Sequence, residues 1–309
     1  MSAGMPLAEA GERLPISGVR GAGAVVRDFI ALAKPRITFM VVLTTLGGAW
    51  LAARGGGNPH LELRRLASTL VGTALIVAGA NALNMYLERD SDALMERTRG
   101  RPLPAGRLAP ELALAFGMAL AAVSLPLLTF LVNATSGLLA AIALVSYVLL
   151  YTPLKRRTTA ALLIGAVPGA IPPLLGWTAI AGRIEWPGVL LFGVMFLWQV
   201  PHFLAIATFR RDDYARAGLK VLPVERGDRV TRWHIVGYLV ALLIVSLLLG
   251  MQGVGGPGYR VGAAVLGSAF LLLGAWGLSP SAGPRWARSL FFGSMVYLVL
   301  LLAALMVRA

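Results

Sequence analysis

Long apolar segments dominate this chain and limit what it can fold into. Nine of them, each roughly 17 to 22 residues long, recur along the 309 residues, and a helix of that length crosses a hydrocarbon core about 30 Å thick. Only 14% of the residues are charged and 57% are hydrophobic, which leaves too little polar surface to cover a soluble globule of this size. We therefore predict an all-α fold, a polytopic membrane helical bundle. The predicted spans lie near residues 37–54, 67–87, 111–131, 134–151, 161–181, 188–208, 234–250, 260–278 and 289–307.

The basic residues are distributed unevenly between the two sets of loops that connect these spans. The formal net charge is +14, from 28 Lys and Arg against 14 Asp and Glu. By our count about 22 of the 28 lie on one set of loops and the N-terminal segment, and the positive-inside rule makes that side cytoplasmic. This placement accounts for the basic charge without nucleic acid. With nine spans, the N-terminus is cytoplasmic and the C-terminus lies on the outer side.

The N-terminal segment carries arginines but no continuous apolar core ahead of a small-residue cleavage site, so it does not resemble a signal peptide. We predict a mobile cytoplasmic tail for residues 1–28 and a single membrane domain for residues 29–309. No organelle presequence stands out, which favours a bacterial plasma (inner) membrane. The chain has no Cys, which excludes disulfides, thiolate metal sites and cysteine nucleophiles.

An acidic box lies at the inner end of the second span. Asn84, Glu88 and Asp92 are spaced four residues apart, so they share one helix face over roughly 12 Å, and Asn81 continues that face into the membrane. The ordinary alternative is that these polar residues only mark the solvated end of a helix. Polar groups that enter a membrane span are costly and usually mark a site. Hard oxygen donors without His or Cys suit Mg²⁺ that is coordinated partly through phosphate oxygens.

Cationic groups flank this box in the sequence. The following loop contains Arg97 and Arg101, whose guanidinium groups match phosphate geometry. At the inner end of the fourth span, Tyr151 and Lys155 are spaced so that a hydroxyl and an ammonium point the same way. Lysines that extend from a helix end towards water are the alternative for the latter pair. Beside the acidic box, these groups predict a site for a magnesium diphosphate.

A second polar box follows the sixth span. The sequence reads Trp198-Gln199-Val200-Pro201-His202-Phe203 and then Arg210-Arg211-Asp212-Asp213-Tyr214. His202 lies in an apolar setting, where it can serve as a proton shuttle, an axial ligand to haem iron or a hydrogen-bonded structural group. These three roles remain open from the residues alone.

With these motifs, nearly the whole chain resembles the UbiA-type intramembrane prenyltransferase superfamily, and within it the branch that acts on haem. The resemblance rests on Lys34-Pro35-Arg36, Asn84-xxx-Glu88-xxx-Asp92 with Arg97-Thr98 and Arg101-Pro102-Leu103, Tyr151-xxx-Lys155, Gly169-Ala170-Ile171-Pro172-Pro173, Trp198-Gln199-Val200-Pro201-His202-Phe203 and Asp212-Asp213-Tyr214. It implies nine helices around a central cavity and a transmembrane prenyltransferase domain.

The resemblance also implies the reaction and the residues that carry it. A farnesyl group passes from farnesyl diphosphate to a vinyl group of haem B with addition of water, and Mg²⁺ is the cofactor. The implied metal ligands are Asn84, Glu88, Asp92 and one of Asp212 and Asp213, and the implied catalytic groups add Tyr151 and Lys155. The diphosphate contacts are Lys34, Arg36, Arg97, Arg101 and Lys155, and the haem contacts are His202 and Trp198. The implied partners are the lipid bilayer and a downstream haem A synthase or oxidase assembly factor.

Two other functions are consistent with part of the sequence. A prenyltransferase for a phenolic or quinone precursor would share the diphosphate half of the site and differ around His202 and Trp198. A transporter would use intramembrane acids for coupling ions and would show two halves with corresponding broken helices. The nine spans and the unequal polar boxes argue against the transporter.

Overall fold

The computed structural model describes residues 21–54, 59–280, 282–283 and 285–307, without the side chains of residues 59–62. Within these ranges the chain is helical, and nine helices are long and apolar enough to cross a membrane, which confirms the predicted membrane bundle. Before the first span lies α1 (Ala22–Ala33). The spans are α2 (Pro35–Ala53), α3 (Pro59–Asp92), α4 (Pro110–Val132), α5 (Ala134–Leu154), α6 (Ala161–Ala181), α7 (Trp186–Phe209), α10 (Gly227–Met251), α11 (Pro257–Trp276) and α12 (Arg285–Met306). Two short helices, α8 (Arg211–Arg216) and α9 (Leu222–Glu225), lie between α7 and α10.

Helix α6 is the centre of the bundle, and it packs most closely against α2. A Cβ added at Gly48 would lie 2.0 Å from the carbonyl oxygen of Pro173, and one added at Gly176 would lie 1.9 Å from that of Thr45. Only glycine allows the two backbones to approach this closely, which is a common way for membrane helices to associate without a hydrophobic driving force. Despite its three internal prolines, α6 is one helix from Ala161 to Ala181.

Two groups of buried apolar side chains meet at α6. One joins α6 and α7 to α10, α11 and α12, and the other joins α6 to α3, α4 and α5. Many large apolar side chains on the outside of the bundle remain exposed, including Phe130 at 82% and Leu272 at 70%. Such a surface is stable in lipid and not in water.

The first described helix begins within the predicted N-terminal tail. Residues 22–28, which we assigned to the mobile tail, belong to α1, while residues 1–20 lie outside the described part of the chain. Leu32 of α1 is fully buried, and the carboxylate of Asp28 pairs with Arg107 at 3.0 Å. These contacts tie α1 to the loop that follows α3, so residues 22–28 of α1 pack with the membrane domain.

The inner end of α5 is wound more loosely than an α-helix. Residues Ser146–Tyr151 form a π-helical turn, a feature that often accompanies functional sites. The rings of Tyr147 and Tyr151 stack with centroids 5.6 Å apart, and Gly165 of α6 leaves room for the second ring, because an added Cβ would lie 2.6 Å from it. Both tyrosines therefore face the interior.

Candidate active site

A cavity of about 450 Å³ opens where the inner ends of α2, α3, α5, α6 and α7 meet. Its polar lining is concentrated at the end of α3, around Asp92 and Arg101, and its lining deeper in the bundle is apolar, around Ile76 and Leu144. Asp92 and Ile76 are sixteen residues apart on α3, which corresponds to about 24 Å of helix. The cavity therefore combines a charged mouth with a long apolar interior.

The structure brings the first acidic box to this mouth. Asn84, Glu88 and Asp92 all line the cavity and are 3%, 7% and 1% exposed. Each carboxylate has a cation beside it: Lys155 Nζ lies 2.5 Å from Glu88 Oε1, and Arg101 Nη1 lies 2.5 Å from Asp92 Oδ2. Buried carboxylates need such compensation because removal from water is costly.

A hydrogen-bond chain orients the amide of Asn84. The hydroxyl of Thr152 donates to the carbonyl oxygen of Tyr147 at 2.8 Å, so it accepts from Asn84 Nδ2 at 3.1 Å. The amide oxygen then points to the opposite side, where Lys34 Nζ donates to it at 3.4 Å. Asn84 thus presents an acceptor oxygen in line with the two carboxylates.

Lys34 lies at the break between α1 and α2, with a left-handed φ of 46° that is uncommon outside glycine. Its ammonium lines the cavity. Burial and the neighbouring Arg101 guanidinium lower the pKa of Lys34 to about 8, while the nearby carboxylates of Glu88 and Asp92 oppose that shift. The ammonium form still predominates at neutral pH, so Lys34 adds positive charge to the site.

Acceptor atoms at the mouth are left without full hydrogen bonding. Asp92 Oδ1 is buried and has no hydrogen-bond partner. Glu88 Oε1 contacts Lys155 as an ion pair, yet its geometry does not meet that of a hydrogen bond. Unsatisfied buried acceptors are rare and call for an explanation. Together with the amide oxygen of Asn84, these atoms form a hard oxygen donor set of the kind that Mg²⁺ prefers.

The second acidic box does not join the cavity. Asp212 is exposed, and Asp213 pairs with Arg210 at 3.3 Å and with Arg216 on the short helix α8. Tyr214 lines the cavity instead, and burial raises the pKa of its hydroxyl, which therefore remains a neutral donor. Among the described residues no group of three or more His, Cys, Asp or Glu could hold a metal ion. Neither Asp212 nor Asp213 lines the cavity, so their part in the metal set stays a prediction that this arrangement does not support.

The other predicted site residues divide between the cavity and the outside of the bundle. Tyr151, Lys155, Arg97 and Arg101 line the cavity, whereas Arg36 is exposed and does not. Arg36 follows the break at Lys34 by two residues, so its side chain leaves the helix on another face. Its predicted role in diphosphate binding has no support in this arrangement.

Trp198 and His202 also lie away from the cavity lining, on the face of α7 that packs against α12. The indole of Trp198 stacks on the His202 ring with centroids 4.7 Å apart, and its Nε1 donates to the carbonyl oxygen of Ser294 at 2.7 Å. Their neighbours Gln199 and Phe203 line the cavity. The sequence motif therefore spans two faces of one helix.

Several polar residues of the cavity were given no site role in the sequence analysis. Tyr147, Thr152, Gln199 and Lys220 contribute polar groups to the lining or to its immediate support. Tyr147 precedes Tyr151 by one helical turn, a spacing that could have indicated a shared face. Gln199 is held by hydrogen bonds from its amide to the carbonyl oxygens of Ala166 and Met195, which no sequence pattern reveals.

Comparison with known proteins identifies the family of this chain. The sequence model of the UbiA prenyltransferase family matches residues 41–296. The chain belongs to the UbiA prenyltransferase family. A UbiA family relative named protoheme IX farnesyltransferase, from Sorangium cellulosum, is 62% identical over 280 residues, which cover 87% of this chain and 100% of the relative. A protein of the same name from Myxococcus xanthus is 50% identical and covers 91% of this chain and 94% of its own length.

Solved structures of the UbiA family share the fold at low sequence identity. A digeranylgeranylglyceryl phosphate synthase structure matches with a TM-score of 0.79 at 17% identity and covers 91% of this chain and 97% of its own. A UbiA homologue from Archaeoglobus fulgidus, bound to DMAPP and Mg²⁺, matches with a TM-score of 0.63 at 18% identity and covers 91% and 100%. The likeness extends over nearly the whole bundle and establishes the fold.

Proposed function

We propose that this membrane enzyme is a protohaem IX farnesyltransferase, which transfers a farnesyl group from farnesyl diphosphate to a vinyl group of haem B with addition of water. The products are haem O and diphosphate. The observation that carries the proposal is the buried acidic box, ringed by cations at the mouth of a long apolar cavity. The acceptor follows from the two relatives of that name, at 62% and 50% identity over most of both chains.

The charges of the cavity support a polyanionic substrate. Five cations line it, with Glu88 and Asp92 as the carboxylates: Lys34, Arg97, Arg101, Lys155 and Lys220. The lining thus carries an excess of three positive charges, which favours an anion and disfavours a bare divalent cation. Lys155 and Arg101 each pair with a carboxylate of the acidic box, and the same cationic groups can bind diphosphate oxygens. Binding would therefore exchange carboxylate partners for phosphate partners.

Asn84, Glu88 and Asp92 fit a magnesium ion, because they present one amide oxygen and two carboxylates with unused acceptor capacity on one helix face. Bound Mg²⁺ would neutralise charge on the diphosphate as a Lewis acid. The proposed set omits Asp212 and Asp213. With only three protein oxygens, the remaining ligands would come from the diphosphate and water, which is common for Mg²⁺ sites in phosphate chemistry.

The first chemical step is ionisation of the farnesyl carbon–oxygen bond. Its electron pair leaves with the diphosphate, and an allylic cation remains. Lys155, Arg101 and Lys34 are placed to stabilise the charge that develops on the departing oxygens, which is the largest kind of contribution that a fixed site makes to such a reaction. The apolar interior excludes water from the cation, and the stacked rings of Tyr147 and Tyr151 offer π faces nearby.

The haem vinyl group then reacts with the allylic cation, and water completes the product. The π electrons of the haem vinyl group form the new carbon–carbon bond through the terminal vinyl carbon, which leaves a cation on the carbon beside the porphyrin ring. Water adds to that carbon and releases a proton to solvent or diphosphate. The hydroxyl of the product therefore derives from water, and no oxidant or reductant is consumed.

The proposed location is a bacterial plasma membrane, with the mouth of the cavity on the cytoplasmic side. The named relatives are bacterial, and the positive-inside pattern supports a cytoplasmic position for the basic loops beside the acidic box. Farnesyl diphosphate can then present its charged group to the aqueous side and its chain to the apolar interior. Haem A synthase or an oxidase assembly factor remains the proposed recipient of the product.

The proposal is tested by incubating the purified chain in detergent with haem B, farnesyl diphosphate and Mg²⁺ and analysing the extracted pigment by chromatography and mass. We expect a more hydrophobic haem whose mass has increased by one farnesyl group and one hydroxyl. The product should be absent without Mg²⁺ and in Asp92→Ala. Unchanged haem, with wild-type protein that binds Mg²⁺ and diphosphate normally, would contradict the assignment.

A further inference from the structure

A hydrogen-bond chain at the contact between α7 and α12 fixes the protonation of His202. The hydroxyl of Ser294 donates to the carbonyl oxygen of Phe291 at 2.6 Å. Its single proton is thereby used, so at 2.7 Å from His202 Nδ1 the hydroxyl oxygen must accept. Nδ1 therefore carries the hydrogen in the neutral ring. The lone pair belongs to Nε2.

Nε2 of His202 has no hydrogen-bond partner among the described residues, and it does not belong to their buried unpartnered atoms. Nε2 therefore keeps some accessible surface, and because His202 does not line the cavity, that surface lies outside the cavity. Three aromatic rings surround the imidazole: Trp198 stacks at 4.7 Å, Phe291 is tilted at 4.9 Å and Phe203 presents an edge at 5.4 Å. An accessible basic nitrogen with apolar, aromatic walls is unusual at membrane depth, where polar groups are expensive.

We propose that His202 Nε2 coordinates the iron of haem B and so holds the acceptor substrate against the outer face of α7; this inference rests on the proposed function. A neutral imidazole whose Nδ1–H is bonded to an oxygen is the form that commonly ligates metals, and the second bond sets the ring orientation. Ser294 is then the positioning residue. The aromatic rings would pack against the porphyrin.

The location of His202 suits a membrane-dissolved acceptor. His202 is seven residues before the end of α7 at Phe209, which corresponds to about 10 Å of helix below the inner end of the span. Phe203 contacts the His202 ring and also lines the cavity. A porphyrin on Nε2 could therefore extend one edge past Phe203 towards the farnesyl chain. The two substrates would approach the reaction centre from different sides of α7.

His234 provides a matched comparison within the same protein. Its Nδ1 lies 2.9 Å from the carbonyl oxygen of Val230, so it has the same tautomer and an equally available Nε2. His234 is exposed on α10, beside a shallow depression lined by Trp233 and Tyr238, and none of these residues lines the cavity. Ligation by His234 would hold haem away from the farnesyl chain.

The test is a titration of ferric haem B into the full-length protein in lipid nanodiscs without farnesyl diphosphate, followed by absorbance and resonance Raman spectroscopy. We expect a nitrogen-ligated spectrum in the wild type. His202→Ala should lose that signature and bind haem at least about tenfold more weakly, and exogenous imidazole should restore the spectrum. Ser294→Ala should weaken binding by about 10- to 100-fold, the usual effect of losing the group that orients a ligating histidine. Ser294→Thr keeps the hydroxyl and should retain wild-type haem binding.

His234→Ala is the control and should leave the spectrum unchanged. Mg²⁺-diphosphate binding is measured on every variant to exclude misfolding. A spectrum that is unchanged in His202→Ala, or lost only in His234→Ala, overturns the inference. If wild-type protein farnesylates haem and His202→Ala does so with an unchanged KM for haem, the ligation fails and the proposed function stands. If His202 ligates haem but no farnesylated product forms, the proposed function fails and the binding site stands.

Discussion

Replacement of Lys155 by methionine should have opposite effects on the two components of the magnesium diphosphate. Lys155 is the counter-ion of Glu88, with Nζ 2.5 Å from Oε1, and both side chains are largely buried at 18% and 7% exposure. Methionine keeps the apolar stem and removes the charge. In the absence of diphosphate, Glu88 would become free to bind Mg²⁺. In its presence, the site would lack one of the cations that bind the leaving group.

The magnitudes follow from the geometry of this pair. A charge-assisted hydrogen bond contributes about 1.5–3 kcal/mol, so the affinity for farnesyl diphosphate should fall about 10- to 150-fold. Loss of one donor to a developing oxyanion typically lowers kcat by about 10²–10³-fold. For Mg²⁺ alone, removal of a positive charge within a few ångströms should raise the affinity at least about tenfold.

Isothermal titration calorimetry in detergent measures Mg²⁺ binding with and without diphosphate, and pigment analysis measures turnover. Arg157→Met is the matched control, because Arg157 follows Lys155 by two residues, is exposed and does not line the cavity. It should behave as the wild type in every assay. Weaker binding of Mg²⁺ alone in Lys155→Met, with the fold intact, would refute the exchange of carboxylate and phosphate partners.

Three further predictions address the acidic boxes, the tyrosine of the second box and helix packing. Asp213→Asn should retain activity and Mg²⁺ dependence within about threefold. Asp92→Asn should lower kcat by at least about 10²-fold. Equal losses of kcat in both variants would restore Asp213 to the metal set. Tyr214→Phe removes one hydrogen-bond donor at the cavity mouth, so it should raise the KM for farnesyl diphosphate by about tenfold and leave the KM for haem unchanged. An unchanged KM for farnesyl diphosphate would exclude that contact. Gly169→Ala should destabilise the bundle by about 1–3 kcal/mol in thermal unfolding. Its Cβ would lie 2.0 Å from Gln199 Oε1, and Gln199 could move away only by losing its amide hydrogen bonds to Ala166 and Met195. Gly237→Ala meets nothing within 4 Å and should be neutral or stabilising. Similar effects of both substitutions would show that the α6–α7 contact is not tight.

The spans were predictable because lipid imposes one requirement, a helix long enough to satisfy its own backbone, and the length and apolarity of each segment report it directly. The first acidic box was predictable for a related reason. Its members share a single helix, so the spacing of Asn84, Glu88 and Asp92 fixes their common face. The structure adds the cations that pair with them, which come from other segments.

The second box could not be oriented from its sequence. Asp213 lies between Arg210 and Arg216, each three residues away, and on a helix that spacing allows pairs that turn the carboxylate outward. Whether such a local pair or a distant metal binds the carboxylate depends on how α8 is set against α7. The motif around His202 could not be divided between the two faces of its helix for a similar reason, since consecutive residues of one helix face different neighbours.

The N-terminal boundary depended on a long-range contact. Residues 22–28 carry no strong span signal, and their order comes from packing on the loop after α3 and from the Asp28–Arg107 pair, whose members are 79 residues apart in sequence. Propensity alone leaves such a short helix marginal in water. Tertiary contacts therefore hold α1 against the membrane domain.

The most direct test of the proposed reaction is an acceptor competition. Purified protein in nanodiscs receives labelled farnesyl diphosphate, Mg²⁺ and equal concentrations of haem B and a phenolic carboxylic acid acceptor, and the label is located by chromatography. We expect the label in a hydroxyl-bearing haem product, with the phenol unchanged and no label transferred in Asp92→Ala. Label on the phenol with haem unmodified would contradict the assignment of haem as the acceptor and leave only a diphosphate-dependent prenyl transfer.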